Sequence, residues 1–397
     1  MGGKLEYFIP QHGRAKISLR VPESHSLYIC PPACGRRIGL RSLKNNEAGH
    51  ISFLILNEAD LATGRYFGLI QKAVGELLNI LDPAPKAFLI YFNCIDDFLC
   101  TDENALLALL KGRFPGCRFV ICHINPVAAD EHVPPGAAMQ DRLYSLLDKP
   151  KQRERSVNLI GNFVLPDESC ELYGLLRSWG IDTVRHLPNI KSFGDFQHMA
   201  AARLNLVLME MGRFAAENME KRLGIPWLDM RVSYSADEVE RGYAQLAGAL
   251  GGAAGIWDEY KEHALQKVKQ CRSKIGDTPI VVDSSAASRP FALAKALAEY
   301  GFNVDCIFIT HGKDFDVEER LWLEENRPDV RIISAGKYDR GEWKFSKDSL
   351  IIGYDAAFSA GKKNFVDIQR DETLFGFYGI YKLMDMIETV FDKARTL

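Results

Sequence analysis

Leu204-Asn-Leu-Val-Leu-Met209 is a short apolar run interrupted by a single polar residue, and it is followed by Met219-Glu-Lys-Arg-Leu-Gly-Ile-Pro-Trp227, where a glycine and a proline punctuate the chain. A run of this length bounded by turn residues reads as a strand buried on both faces, the kind found in parallel sheets flanked by helices. The same reading recurs at His50 to Leu56, Ala87 to Asn93, Arg118 to Ile124, Val157 to Phe163 and Asp182 to Leu187. Beyond the opening stretch it recurs at Pro279 to Ser284, Val304 to Thr310, Val330 to Ser334 and Ser349 to Tyr354. Helical stretches separate these runs, so the fold class is α/β, built from βα units. With the opening stretch these are ten strands, more than one doubly wound domain carries, so three Rossmann-like or flavodoxin-like parallel-sheet domains are expected.

Punctuation places the boundaries. Asp148-Lys-Pro150-Lys-Gln-Arg-Glu-Arg155 and Gly276-Asp-Thr-Pro279 are charged or turn-rich links before strands. The expected domains are therefore 1–150, 151–276 and 277–397. Leu374 to Lys393 reads as a long amphipathic helix able to pack back across earlier domains.

At 397 residues and 47% hydrophobic, the chain is long enough for several cores. The 49 basic and 52 acidic side chains are interspersed, which gives no electrostatic footprint for nucleic acid or an anionic membrane surface. No window approaches a membrane helix and the start lacks an apolar leader, so a cytoplasmic location is expected. Nine cysteines spread through strands and helices fit a reducing compartment better than a disulfide framework. ATP hydrolysis by this chain is not expected. Ser359-Ala-Gly361-Lys-Lys363 lacks both the glycine five residues before Gly361 and the hydroxyl residue after the lysine that a phosphate-binding loop needs. Nicotinamide, serine-hydrolase and zincin motifs do not occur.

One constellation carries chemistry. Cys30-Pro-Pro-Ala-Cys34-Gly-Arg-Arg interrupts a strand-like run, and Ile90-Tyr-Phe-Asn-Cys94 ends another. Thiolates placed where strands stop can share a metal cluster, because the sheet fixes their positions while the loops let sulfur point outward. The pattern reads as half of an iron-sulfur site, against the plainer reading of two unremarkable thiols. His123, beside Cys122, reads as a hydrogen-bonded residue rather than a ligand, and the other cysteines as core residues.

The opening stretch and the turn at Gly224-Ile-Pro-Trp227 also resemble segments of the nitrogenase component 1 type oxidoreductases. So do Val157-Asn-Leu-Ile-Gly161, Leu176-Arg-Ser-Trp-Gly-Ile181, Ser288-Arg-Pro290 and Phe375-Gly-Phe-Tyr-Gly379, in the family's order. That family includes nitrogenases, cofactor-assembly scaffolds and dark-operative tetrapyrrole reductases. The resemblance implies that Cys34 and Cys94 are cluster ligands, with Ala33 where the family has a glycine. The family's first ligand has no counterpart, since no cysteine precedes Cys30. Two copies, or this chain and a related one, would then supply four thiolates to one interfacial 4Fe-4S cluster, with Cys30 as a possible third ligand per chain.

The departures from the family are equally informative. Met209 stands at the family's cofactor-binding cysteine, Val366 near its cofactor-binding histidine, and Ala137 and Ala138 after Gly136 at its histidine pair. An iron-molybdenum type cofactor and dinitrogen reduction are therefore not expected. The resemblance implies electron delivery from a separate ATP-dependent iron-sulfur reductase to a small organic substrate in an inter-domain cleft, where Ser288 and Arg289 would hold an anionic group. The catalytic residues stay open, with His123 and Asp97 as unranked proton donors. A maturation scaffold, a non-catalytic partner subunit and a plain ligand-binding protein remain as other readings.

Overall fold

The computed structural model describes residues 19–44, 48–93, 101–124, 133–310, 315–334, 345–368 and 371–395. These contain three four-stranded sheets in which every strand pair is parallel. The chain divides into two compact units, one of Ala15–Phe163 with Asp182–Asp229 and another containing Val164–Ile181 with Met230–Leu397.

The first unit holds two sheets. β1 (Ser24–Cys30), β2 (Ile51–Ile55), β3 (Ala87–Asn93) and β4 (Arg118–Ile124) are ordered β2-β1-β3-β4. β5 (Ser156–Ile160), β6 (Thr183–His186), β7 (Leu204–Val207) and β8 (Trp227–Asp229) are ordered β6-β5-β7-β8. Period-two alternation in the central strand β3 sends Phe88 and Ile90 into one core, with Ile70, Val74, Leu106 and Leu110 from the covering helices. Leu89 and Tyr91 enter another core with Leu143, Tyr144 and Phe196. The continuous apolar sequence of β3 follows from being covered on both sides.

The asparagines of the two quoted strands have a physical reason. Asn158 and Asn205 are register partners on β5 and β7, and the Asn158 side-chain amide donates to Asn205 Oδ1 at 2.8 Å and to the Met199 carbonyl at 2.9 Å. Both residues are fully buried. Replacing Asn205 by valine leaves one of these donors short of an acceptor, at an expected cost of about 1–3 kcal/mol. The double variant N158V/N205V should cost less than the sum of the two single replacements. Denaturant unfolding of the three variants measures this coupling, and strict additivity would remove the pairing as the reason for the motif.

In the second unit β9 (Ile280–Asp283), β10 (Val304–Ile309), β11 (Arg331–Ser334) and β12 (Leu350–Ile352) are ordered β11-β10-β9-β12. Asp283 ends β9 fully buried, and its carboxylate accepts from the Ala356 amide at 2.7 Å and the Ser285 hydroxyl at 2.9 Å. Burial pushes its pKa up to about 6. The C-terminal helix Gly376–Arg395 packs along the helix Asp258–Ile275 of the same unit.

Candidate functional site

β1 gives the site its position. Its polar first half is kept inside by local partners: the Ser24 hydroxyl donates to the Val21 carbonyl at 2.6 Å, and His25 Nε2 lies 2.8 Å from the Ser52 hydroxyl. Burial, and then the nearby His50, lowers the His25 pKa to about 4, so this ring is neutral near pH 7. The strand continues through Tyr28, which stacks on Tyr91 of β3 at 4.6 Å between ring centroids and on Phe53 of β2 at 5.6 Å.

β1 ends at Cys30, a buried residue, and the chain turns at once into the helix Pro32–Lys44, which carries a half-buried Cys34 in its first turn. Proline at the helix start costs no hydrogen bond there. Gly35 and Gly39 face Phe53, and a Cβ at Gly35 would lie 3.4 Å from Cys30 Sγ and 3.2 Å from Ile55 Cδ1. The absence of a side chain thus lets the helix lie close over the strand ends. β3 ends beside β1, with Phe92 in register with Ile29. Cys94, the next residue but one after Phe92, lies outside the described residues, as do Asp97 and Cys100.

Sulfur donors of this type suit iron. Burial, and secondarily Cys34, pushes the Cys30 thiol up to about 11, so a metal at Cys30 must displace a proton. Among the described residues no three metal-binding side chains gather in one place. The two described sulfurs do not by themselves make a complete donor set. Cys117, Cys122, Cys170, Cys271 and Cys306 are buried in the cores, away from strand-end loops of this kind.

On the Pro32–Lys44 helix Leu40 and Leu43 are 65% and 67% exposed, and Ile55 at the end of β2 is 46% exposed. β2 is an edge strand of its sheet. Leu40 and Leu43 could have been sought in the sequence as leucines on the outer face of a cysteine-bearing helix.

The other expected site residues are placed differently from one another. Ser288 donates through its amide and its hydroxyl to Asp371, at 2.7 and 2.9 Å. Arg289 precedes the helix Pro290–Glu299 with its side chain 12% exposed, hydrogen-bonded to Glu319 and 3.8 Å from Glu238. An anion approaching Arg289 must compete with these carboxylates. His123 Nε2 lies 2.7 Å from Glu103, which Arg142 also approaches at 3.6 Å.

The residues at the family's cofactor positions are apolar and packed. Val366 is fully buried and bridges to Ile352, and Ala137 is buried in the helix Pro135–Tyr144. Met209 follows β7 on a loop held by close backbone packing: a Cβ on Gly161, whose φ is 98°, would lie 2.6 Å from the Met209 carbonyl oxygen.

A chain of three parallel four-stranded sheets with Cys30 at the end of its first strand defines a class, and sequence comparison identifies it. The chain belongs to the nitrogenase component 1 type oxidoreductase family, whose model matches residues 15–392. It is 20% identical over 353 residues to the nitrogenase iron-molybdenum cofactor biosynthesis protein NifE of Rhizobium meliloti (strain 1021), covering 84% of this chain and 73% of that protein. Its fold is similar to that of nitrogenase Cp1 at pH 6.5, with a TM-score of 0.73 and 16% identity over 96% of this chain and 91% of the other. A second structure, of nitrogenase Cp1 at pH 5, gives a TM-score of 0.56 at 12% identity over 95% and 86% of the two chains. No described helix is long and apolar enough to cross a membrane.

Proposed function

We propose that this chain is a nitrogenase-like oxidoreductase subunit that pairs with a second copy or a related chain, receives electrons from a separate ATP-dependent iron-sulfur reductase, and reduces a small organic substrate and not dinitrogen. The observation that carries this reading is the position of Cys34 on a helix whose outer face exposes Leu40 and Leu43. Cys34 and Cys94, with Cys30 behind them, would hold an iron-sulfur cluster together with the same residues of the partner. When bound, such a cluster supplies one-electron transfer. Glycine at position 35 keeps the helix close to the strand ends, and Leu40 and Leu43, exposed further along it, would be covered by the partner. Met209, Val366 and Ala137 offer no ligand for a molybdenum-type cofactor, which supports an organic substrate.

Anaerobic purification with iron and sulfide analysis, electron paramagnetic resonance of the reduced protein, and an assay for reductase-dependent turnover test this together. Iron with turnover supports the enzyme. Absence of iron from protein prepared without oxygen sinks it. The likeness to a cofactor biosynthesis protein favours a second reading, a maturation scaffold, which predicts iron and release of bound metal without turnover.

The interface has its own test. L40E/L43E places two charges in what would be a desolvated surface, and should convert the oligomer to monomer and remove bound iron while leaving helix content unchanged. Sedimentation velocity reads the first effect. A variant that stays oligomeric with full iron places the interface elsewhere.

A further inference from the structure

The N-terminal edge of the β11-β10-β9-β12 sheet carries a cavity of about 500 Å³, a size suited to a small organic ligand. It lies at the strand ends opposite Asp283 and Arg289, within the same unit. Lys347, Lys362, Lys363 and Arg395 reach it from three separate segments, against one carboxylate among the described lining residues, Asp348. Lys362 Nζ donates to the carbonyls of Lys347, at 2.9 Å, and Ser349, so one lysine already satisfies the loop that enters β12. Burial lowers the Lys362 pKa, with Asp348 opposing. Ser349 lines the cavity at 4% exposure, and its hydroxyl has no hydrogen-bond partner among the described residues. A buried hydroxyl left unmatched is costly unless a ligand completes it. Val390 and Phe391 of the C-terminal helix form an apolar wall, with the Arg395 guanidinium 5.4 Å from the Phe391 ring centre.

We infer that this cavity binds a small organic anion carrying two or more phosphate or carboxylate groups, its charges against Lys347, Lys362 and Lys363 and its apolar part against Val390 and Phe391. Lysines are strongly hydrated point charges that suit such groups without demanding a planar fork. The site is separate from the cysteine-bearing sheet and does not depend on the redox reading.

Calorimetric titration of the full chain with inorganic pyrophosphate and with citrate tests it. Saturable binding that weakens with salt is expected, and K347Q/K363Q should lower affinity on the order of ten-fold or more while leaving the denaturation midpoint unchanged. S349A should lower affinity several-fold, on the order of one lost hydrogen bond, without loss of stability. Binding of pyrophosphate alone identifies phosphate as the preferred group, citrate alone carboxylate, and both a general polyanion site. No saturable binding of either anion at millimolar concentration, or unchanged affinity in K347Q/K363Q, overturns the inference.

Discussion

Cys34→Ala and Cys94→Ala should each reduce the iron content of anaerobically prepared protein to background, the largest effect expected of any single replacement in the chain. If two chains share one cluster, each replacement removes two of the ligands at once, because the change appears in both copies of a symmetric pair. Cys34 is half-buried at a helix start, so its loss should leave the metal-free fold nearly as stable as before. Cys30→Ala separates the two possible ligand sets. Its thiol is buried against the Gly35 face of the helix, so truncation should cost on the order of 1 kcal/mol in packing whatever its metal role. Iron retained in this variant limits the set to Cys34 and Cys94, whereas iron lost makes Cys30 a third donor. Full iron in both Cys34→Ala and Cys94→Ala would eliminate the assignment.

Two strands were readable to the residue: Ala87–Asn93 and Arg118–Ile124 have the expected bounds. Elsewhere most ends retract, by up to three residues, as at β7, which stops at Val207 because the chain then leaves the ladder for the turn through Met209 and Gly212, while β5 begins one residue earlier than expected. Two strands fell outside the expected ten. β1 opens with Ser24-His25-Ser26, whose burial depends on a carbonyl just before the strand and on Ser52 in the next strand, and a periodicity reading registers the polarity without the partners. β8 has three residues at a sheet edge, too few to show any period. For the site, sulfur at a strand end is a local signal, and Cys30 does end β1 as its sequence suggests. The Glu319 and Glu238 partners of Arg289 come from other helices and leave no trace around Ser288-Arg-Pro290. That is why an arginine at a helix start reads equally well as an anion site or as a structural ion pair.

Glu171→Ala should produce the second large effect, a loss of about 3–5 kcal/mol of stability in the unit that contains it. Glu171 is buried in the first turn of the helix Glu171–Ser178, and no cation pairs with it among the described residues. Its Oε1 accepts from the Tyr243 hydroxyl at 2.7 Å and the Phe377 amide at 2.6 Å, and its Oε2 from the Tyr378 amide at 3.1 Å. The amides belong to the first turn of the C-terminal helix, which has no acidic residue of its own there, so Glu171 supplies the negative charge that a helix start favours. Burial, with Cys170 and Glu171 adding to it, holds the Tyr243 hydroxyl protonated and therefore a donor. Gly376, with φ of 69°, is required in the same place, since a Cβ there would overlap the Glu171 carboxylate and the Tyr243 hydroxyl. Alanine at 171 leaves two amides and a phenol without acceptors and opens a void, whereas glutamine keeps one acceptor but turns an amide donor toward other donors. Glu171→Gln should therefore fall between wild type and alanine. Trp227 is the one tryptophan in the sequence of the first unit, so in a Trp227→Phe background the fluorescence of the remaining four, among them Trp179 and Trp257 with rings 6.3 Å apart, reports this unit separately during denaturant unfolding. A loss below about 1 kcal/mol in Glu171→Ala would mean that water replaces the carboxylate at the helix start, and that packing along Asp258–Ile275 alone holds the C-terminal helix in place.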